Sequence, residues 1–254
     1  MWNVLRAGYG FLVVIGLMAP LLAILPLAFT SSVFLTYPIP HLSLRWFDVL
    51  FASGDWRRSI LNSLFVGVCT AGFATVLGTL AALGLRKQFP FSKVLKSIFI
   101  LPLVVPGVVL GVGMQLLFVR MGLASSYTGL IIAHTVVAVP FVVITVSASL
   151  AGIDRGVEDA ARSLGATPAN VFFLVTLPLA GPGILSGAAF ALATSFDEVI
   201  LTLFVAGPNQ RTLARQMFSS LRDNISPEIA AAAFILMLLT VCASLIVGIA
   251  MRRR

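Results

Sequence analysis

Six apolar runs, at residues 8–30, 59–84, 95–119, 129–150, 181–205 and 228–250, dominate the chain. Each is about 20 residues long, which is what a helix needs to cross the hydrocarbon layer of a bilayer. They account for most of a 254-residue sequence that is 59% hydrophobic and only 10% charged, a composition that excludes an ordinary soluble domain. The expectation is an all-α membrane protein with six transmembrane helices, forming one transmembrane domain over residues 1–254.

The formal net charge of +8 would suit a nucleic-acid binder only if the cations gathered on one face, and they are spread over the loops between runs. Membrane orientation explains them better. With both termini cytoplasmic, the inner segments hold ten of the 17 cations: Arg6, Arg86, Lys87, Lys93, Lys96, Arg155, Arg162, Arg252, Arg253 and Arg254. The outer segments hold the other seven, Arg45, Arg57, Arg58, Arg120, Arg211, Arg215 and Arg222, a bias that puts both ends inside. The partner implied is the lipid bilayer, not nucleic acid. Cys69 and Cys242 sit singly inside apolar runs and read as packing thiols. The first run is too long for a signal-peptide core and lacks a small-x-small site after it, so it reads as a retained span. Six spans make a narrow bundle with no visible internal repeat, and an alternating path usually needs two such halves; a second membrane subunit is expected.

Along the chain, Pro20 and Pro26 predict a kink near the outer end of the first span. The following segment, LSLRWFDVLF, puts Leu42, Trp46, Phe47 and Leu50 on one face of an interfacial helix. The second span carries two stripes of small residues, Ser63, Gly67, Ala71 and Thr75, and Ala74, Gly78 and Ala82, which allow close helix approach in lipid. Pro102 and Pro106 in LPLVVPGVVLGVG predict a bend in the third span, either moving or static. Gln115 there either lines a pathway or bonds across helices. His134 in the fourth span reads as a hydrogen-bond partner between helices or, less simply, as a ligand or proton relay. Gly183, Gly187, Ala191 and Ser195 form a further close-packing stripe. Asp197 and Glu198 follow it inside the apolar run, where ionisable groups are costly and face a wet interior. They are candidates for attracting a cation along a path that Ser195 and Gln115 would also line; the alternative is pairing with Arg211 or Arg215. A last amphipathic helix is predicted around Ala214–Leu221, and Ser226 and Pro227 start the sixth span.

The stretch DRGVEDAARSLGATPANVFFLVTLP, from Asp154 to Pro178, is the longest polar interruption and carries ordered helix signals. Asp154 caps a first helix, with Glu158 and Asp159 near its positive end and Arg162 near its negative end. Gly165 supplies a left-handed stop, and Thr167 with Pro168 starts a second helix that is expected to run to Pro178. No phosphate loop, metal cluster or nucleophile with a base is present in the sequence, so the chain is not expected to be an enzyme, and energy for uphill movement must come from another subunit.

Asp159, Ala160, Ala161, Gly165, Val175, Leu177 and Pro178 resemble the EAA signature of the membrane subunits of bacterial ABC importers, with Asp159 in place of Glu and Val175 in place of Ile. The spacing agrees at every step. SFDEVILTLFVAGP and SSLRDNISPE resemble the spermidine and putrescine permease branch. The resemblance implies a type I ABC importer permease fold and a multi-pass place in the bacterial inner membrane. It also implies a cytoplasmic coupling loop at about 151–180, between spans four and five. Glu158, Asp159, Ala160, Ala161, Arg162, Gly165, Ala166, Pro168, Leu177 and Pro178 would couple it to an ATPase. The implied partners are two ATP-binding cassette subunits, a second and different permease chain, and a solute-binding protein docking on outer loops around Trp46 and Met217. ATP and Mg belong to the partner subunit, and this chain is expected to bind no cofactor or metal. The implied cargo is a polyamine or similar organic cation. The alternatives are ferric iron or another small organic solute, or a homodimeric secondary carrier driven by an ion gradient.

Overall fold

The computed structural model describes residues 2–87, 89–223 and 225–252; Arg253 and Arg254, two of the C-terminal cations, lie outside the described residues. The helices run in the order α1 Trp2–Ile24, α2 Arg45–Ala52, α3 Gly54–Arg86, α4 Ser92–Ile100, α5 Gly107–Met121, α6 Tyr127–Ala151, α7 Arg155–Ser163, α8 Pro168–Val171, α9 Leu177–Asp197, α10 Ile200–Val205, α11 Leu213–Asp223 and α12 Pro227–Arg252. Among the described residues, five stretches are long and apolar enough to span a bilayer: Arg6–Phe29, Gly54–Arg86, Tyr127–Ala151, Pro168–Asp197 and Pro227–Ile249. The sixth is broken, since Ser92–Leu103 and Gly107–Met121 meet at 98°. Pro102 and Pro106 lack the amide hydrogens that would carry a helix through this stretch. The bend expected there is therefore a right-angle break rather than a kink in one span.

The chain divides into two compact units, residues 1–57 with 216–239 and residues 58–215 with 240–254. In the first, Pro20 lies inside α1 and Pro26 in a 3₁₀ turn, Leu25–Phe29, that follows it. Phe29, Phe47 and Phe234 form an aromatic cluster with ring centroids 5.1 to 5.8 Å apart. Trp46 and Leu50 of α2 are buried, and the Trp46 indole donates to the Ser32 carbonyl at 3.1 Å. The apolar face predicted around residue 46 thus exists but is covered by protein. Leu42 is not part of it: it precedes α2, bridges to Thr30, and is 79% exposed. Trp56 donates to a Glu228 carboxylate oxygen at 3.1 Å, tying the start of α3 to the first turn of α12.

The second unit is built around α6, whose buried residues run from Gly129 to Leu150. Helices gain nothing from leaving one apolar solvent for another in lipid, so they must fit closely. The α9 stripe does this. A Cβ on Gly187 would lie 2.7 Å from Thr145 Oγ1 and 3.1 Å from the Val142 backbone, and one on Gly183 would collide with Ser149. The two stripes of α3 grip different neighbours, Gly67 meeting Leu192 and Phe196 of α9 while Gly78 meets Val142 of α6. Gly107 and Gly111 of α5 lie against Ile200 and Phe204 of α10 in the same way.

Replacing Gly187 with Ala should overpack the α6–α9 contact and destabilise the chain by about 1–3 kcal/mol, read as a lower thermal midpoint in detergent. Gly113→Ala, with nothing within 4 Å of the new carbon, should leave that midpoint unchanged or raised.

Candidate coupling loop and charged helix break

The loop between α6 and α9 folds as its caps dictate. Asp154 Oδ1 accepts the Gly156 amide at 2.9 Å and starts α7. Gly165, at φ +85°, ends it: the Gly165 amide reaches the Arg162 carbonyl at 2.9 Å and the Ala166 amide reaches Ala161 at 3.1 Å, a Schellman pair that favours glycine at this position. Thr167 Oγ1 then accepts the Asn170 amide at 3.3 Å, with Pro168 opening α8.

The second helix does not stop at Pro178 as expected. Residues Phe172–Thr176 form a π-helical turn, in which the Leu177 amide bonds Phe172, and the chain passes directly into α9. A proline inside a regular helix clashes with the carbonyl four residues back; the wider turn just before Pro178 accommodates it. The second arm of the loop is therefore the end of a 30-residue helical stretch, Pro168–Asp197.

Glu158 is the residue whose surroundings sequence reasoning missed. It is only 7% exposed and points into its own chain. Arg86, the last residue of α3, pairs with its Oε1, Thr176 Oγ1 donates to the same oxygen at 2.7 Å, and Arg162 lies 3.8 Å from Oε2. Arg86 also donates to the Ile153 carbonyl at 3.3 Å. Burial works to raise the Glu158 carboxyl, but the hydrogen bonds from Arg86 and Thr176 and the charges of Arg86 and Arg162 outweigh it and hold the group below the ordinary carboxylate value of 4.5. Glu158, one of the expected coupling residues, therefore turns toward its own chain and not to the exposed edge of the loop. Asp159 is exposed and paired with Arg162, Ala160, Gly165, Pro168 and Pro178 are exposed, and Ala161, Ala166 and Leu177 are half-buried. Val157 and Leu164, at 48% and 89% exposure, give α7 an uncovered apolar edge. No sequence rule pairs Arg86 with a glutamate 72 positions away; the only signal was two opposite charges in a charge-poor chain.

The four expected pathway residues separate. The apolar run 181–205 is not one span, because α9 ends at Asp197 and Glu198 leaves helical geometry at φ −77°, ψ 101°. Asp197 is exposed. Glu198 Oε1 accepts the Leu201 amide at 2.9 Å, while Arg215 Nη1 donates to the Ala206 and Thr202 carbonyls at 2.8 and 3.3 Å. An acid and a base thus sit at the positive and negative ends of α10. Ser195 is buried, its Oγ lying 2.8 Å from His134 Nδ1, and His134 Nε2 lies 3.0 Å from Thr202 Oγ1. His134 is completely buried and is a hydrogen-bond partner between helices. Gln115 is half-buried, and its amide oxygen is buried with no hydrogen-bond partner among the described residues. Trp46, expected on a solute-receiving loop, is only 7% exposed. Among the described residues no group of histidine, cysteine and carboxylate side chains is arranged to hold a metal.

The sequence profile of the family described as "Binding-protein-dependent transport system inner membrane component" matches residues 74–254. The chain belongs to this family. It is a multi-pass permease of the bacterial inner membrane, a component of binding-protein-dependent ABC importers and not their catalytic subunit. It is 34% identical over 242 residues to the putrescine transport system permease protein PotI of Escherichia coli (strain K12), covering 92% of this chain and 84% of that protein. The spermidine/putrescine transport system permease protein PotC of the same strain is 28% identical, with 94% and 90% covered. The molybdenum transport system permease protein ModB of Mycobacterium bovis is 31% identical, with 89% and 92% covered. Among solved structures, a bacterial ABC transporter involved in import of the acidic polysaccharide alginate superposes with a TM-score of 0.73 at 15% identity, covering 99% of this chain and 95% of that one. An inward-facing MetNI methionine ABC transporter gives 0.66 at 21%, with 82% and 97% covered. These structural likenesses carry the permease fold.

Arg86→Met should cost about 3–5 kcal/mol, because it strands a buried carboxylate, and Arg86→Met with Glu158→Leu should recover most of that loss in a thermal unfolding assay. Because the folded-state pKa of Glu158 is depressed, its contribution to stability is present above pH 4.5 and fades as pH falls below that value. The wild-type thermal midpoint should therefore approach that of Glu158→Gln on acidification.

Proposed function

We propose that this chain is one of two different permeases in an ATP-driven importer of polyamines such as putrescine or spermidine. The similarity to PotI, 34% over 92% of the chain, carries this reading. In it, residues 1–254 form one permease domain with both termini cytoplasmic, the loop at about 151–180 faces the cytoplasm, and Asp159 to Pro178 serve as its EAA signature. Two ATP-binding cassette subunits bind ATP and Mg and receive α7 in a groove, through the exposed edge of Val157, Asp159, Ala160 and Leu164. This chain itself binds no cofactor. A solute-binding protein delivers the cargo from outside.

Coupling then has two mechanical routes. Displacement of α7 passes to α3 through the Arg86–Glu158 pair, and displacement of α8 passes to α9 through continuous helix. The exposed carboxylate of Asp197 attracts the cation, with Gln115 as a second polar group on the path. Glu198 holds the break in shape and Ser195 locks α9 to α6, so neither is needed to touch the solute. The similarity to ModB, 31% over 89% of the chain, favours a second reading, in which the cargo is an oxyanion.

The purified assembly with its binding protein should hydrolyse ATP faster with putrescine or spermidine, and molybdate should have no effect. Stimulation by molybdate alone would replace the polyamine reading with the second. Asp197→Asn should weaken polyamine stimulation several-fold, whereas Glu198→Gln, which retains an oxygen to cap Leu201, should leave it nearly intact. Gly165→Val, forced into a left-handed backbone at a cost of about 1–3 kcal/mol, should uncouple hydrolysis from uptake. Gly165→Asn, which tolerates that geometry, should uncouple far less.

A further inference from the structure

We propose that the cleft between α3, α4 and α6 binds an anionic phospholipid, its headgroup held by Lys96 and Arg155 and its acyl chain laid along the apolar wall of the same three helices. Two cavities carry the argument. One, of 390 Å³, lies where α3 and α6 end beside α7 and is lined by Arg86, Lys96, Ser147 and Arg155. No carboxylate lines it among the described residues. Arg86 is already neutralised by Glu158, whereas Lys96 and Arg155 are exposed and take part in none of the ion pairs among the described residues. The cavity therefore presents two cations outside any ion pair among the described residues, at the level where spans leave the bilayer; Arg155 also borders a polar cavity lined by Glu158 and Asp159, but those carboxylates are paired with Arg86 and Arg162.

The second cavity, of 640 Å³, is walled by Phe73 and Leu77 of α3, Phe99 of α4, and Ile132, Val136 and Val139 of α6. Lys96 and Phe99 are one helical turn apart on α4. Along α6, Ser147 and Val136 are separated by about 16 Å at the rise of an α-helix, the depth an acyl chain reaches below its headgroup. A basic site at the mouth with an apolar trough beneath it, on shared walls, matches an amphiphile with a negative head. Basic pockets between spans recognise such headgroups. A free anion would use only the first cavity, and a neutral lipid only the second.

The test reads lipid, not transport, so it stands whatever the cargo proves to be. The assembly is purified from its native membrane in mild detergent, extracted, and its phospholipid quantified per chain. Wild type should retain phosphatidylglycerol or cardiolipin, and the Lys96→Gln, Arg155→Gln double variant should retain at least about five-fold less while its phosphatidylethanolamine is unchanged. A photoreactive residue at Val136 in the otherwise unaltered chain should yield a phospholipid adduct, which keeps the proposal testable if the double variant fails to assemble. Equal anionic lipid in both proteins, a Val136 adduct consisting only of protein, or thermal stabilisation by inorganic phosphate as large as that by phosphatidylglycerol would each overturn it.

Discussion

The loop between α6 and α9 depends on one buried carboxylate. Glu158 draws together the end of α3, the first turn of α7 and the π-helical turn before α9, through Arg86, its own helix and Thr176. A charge largely withdrawn from solvent is tolerable only while its partners hold their places. The loop therefore has an inner face tied into the chain and an outer face, with Leu164 at its tip, that is exposed. A short capped helix alone would be a marginal structure in water; α7 is tied to α3 by the Arg86–Glu158 pair and to the turn before α9 by Thr176.

Beyond the loop, the second unit is held by the closeness of backbones. Gly67, Gly78, Gly183 and Gly187 lie where any side chain would strike a neighbouring helix. These positions let α3 and α9 sit against α6 at distances that recover dispersion energy in a solvent that offers no hydrophobic drive. The buried contact of His134 with Ser195 and Thr202 adds polar specificity to that packing, since a satisfied pair of ring nitrogens fixes the rotation of α6 against α9 and α10. Breaks in helices are equally part of the design. The right angle between α4 and α5, the π turn before Pro178 and the interruption at Glu198 each fall where proline or a charged pair meets an apolar run. The last is stabilised by complementary charges at the two ends of α10.

By itself the sequence determined the all-helical membrane class, the number of apolar runs, the caps and left-handed glycine of the loop, and the small-residue stripes. These follow from short-range physics: the length of helix that spans hydrocarbon, the φ that only glycine adopts freely, and the side-chain oxygens that satisfy a helix start. The family relation, expected from the resemblance over Asp159 to Pro178, is shown by the profile match over residues 74–254. Only the tertiary structure decided that Glu158 turns inward while Asp159 turns outward, that Ser195 is taken by His134, that Glu198 caps a helix, and that the third apolar run folds at a right angle. The first two are settled by which group lies opposite, 72 positions away for Glu158 and 61 for Ser195, because a buried charge or hydroxyl goes to whatever partner the packing brings to it, which local sequence cannot encode; the last two are breaks marked locally, at Glu198 and at Pro102 with Pro106, whose geometry the surrounding packing sets.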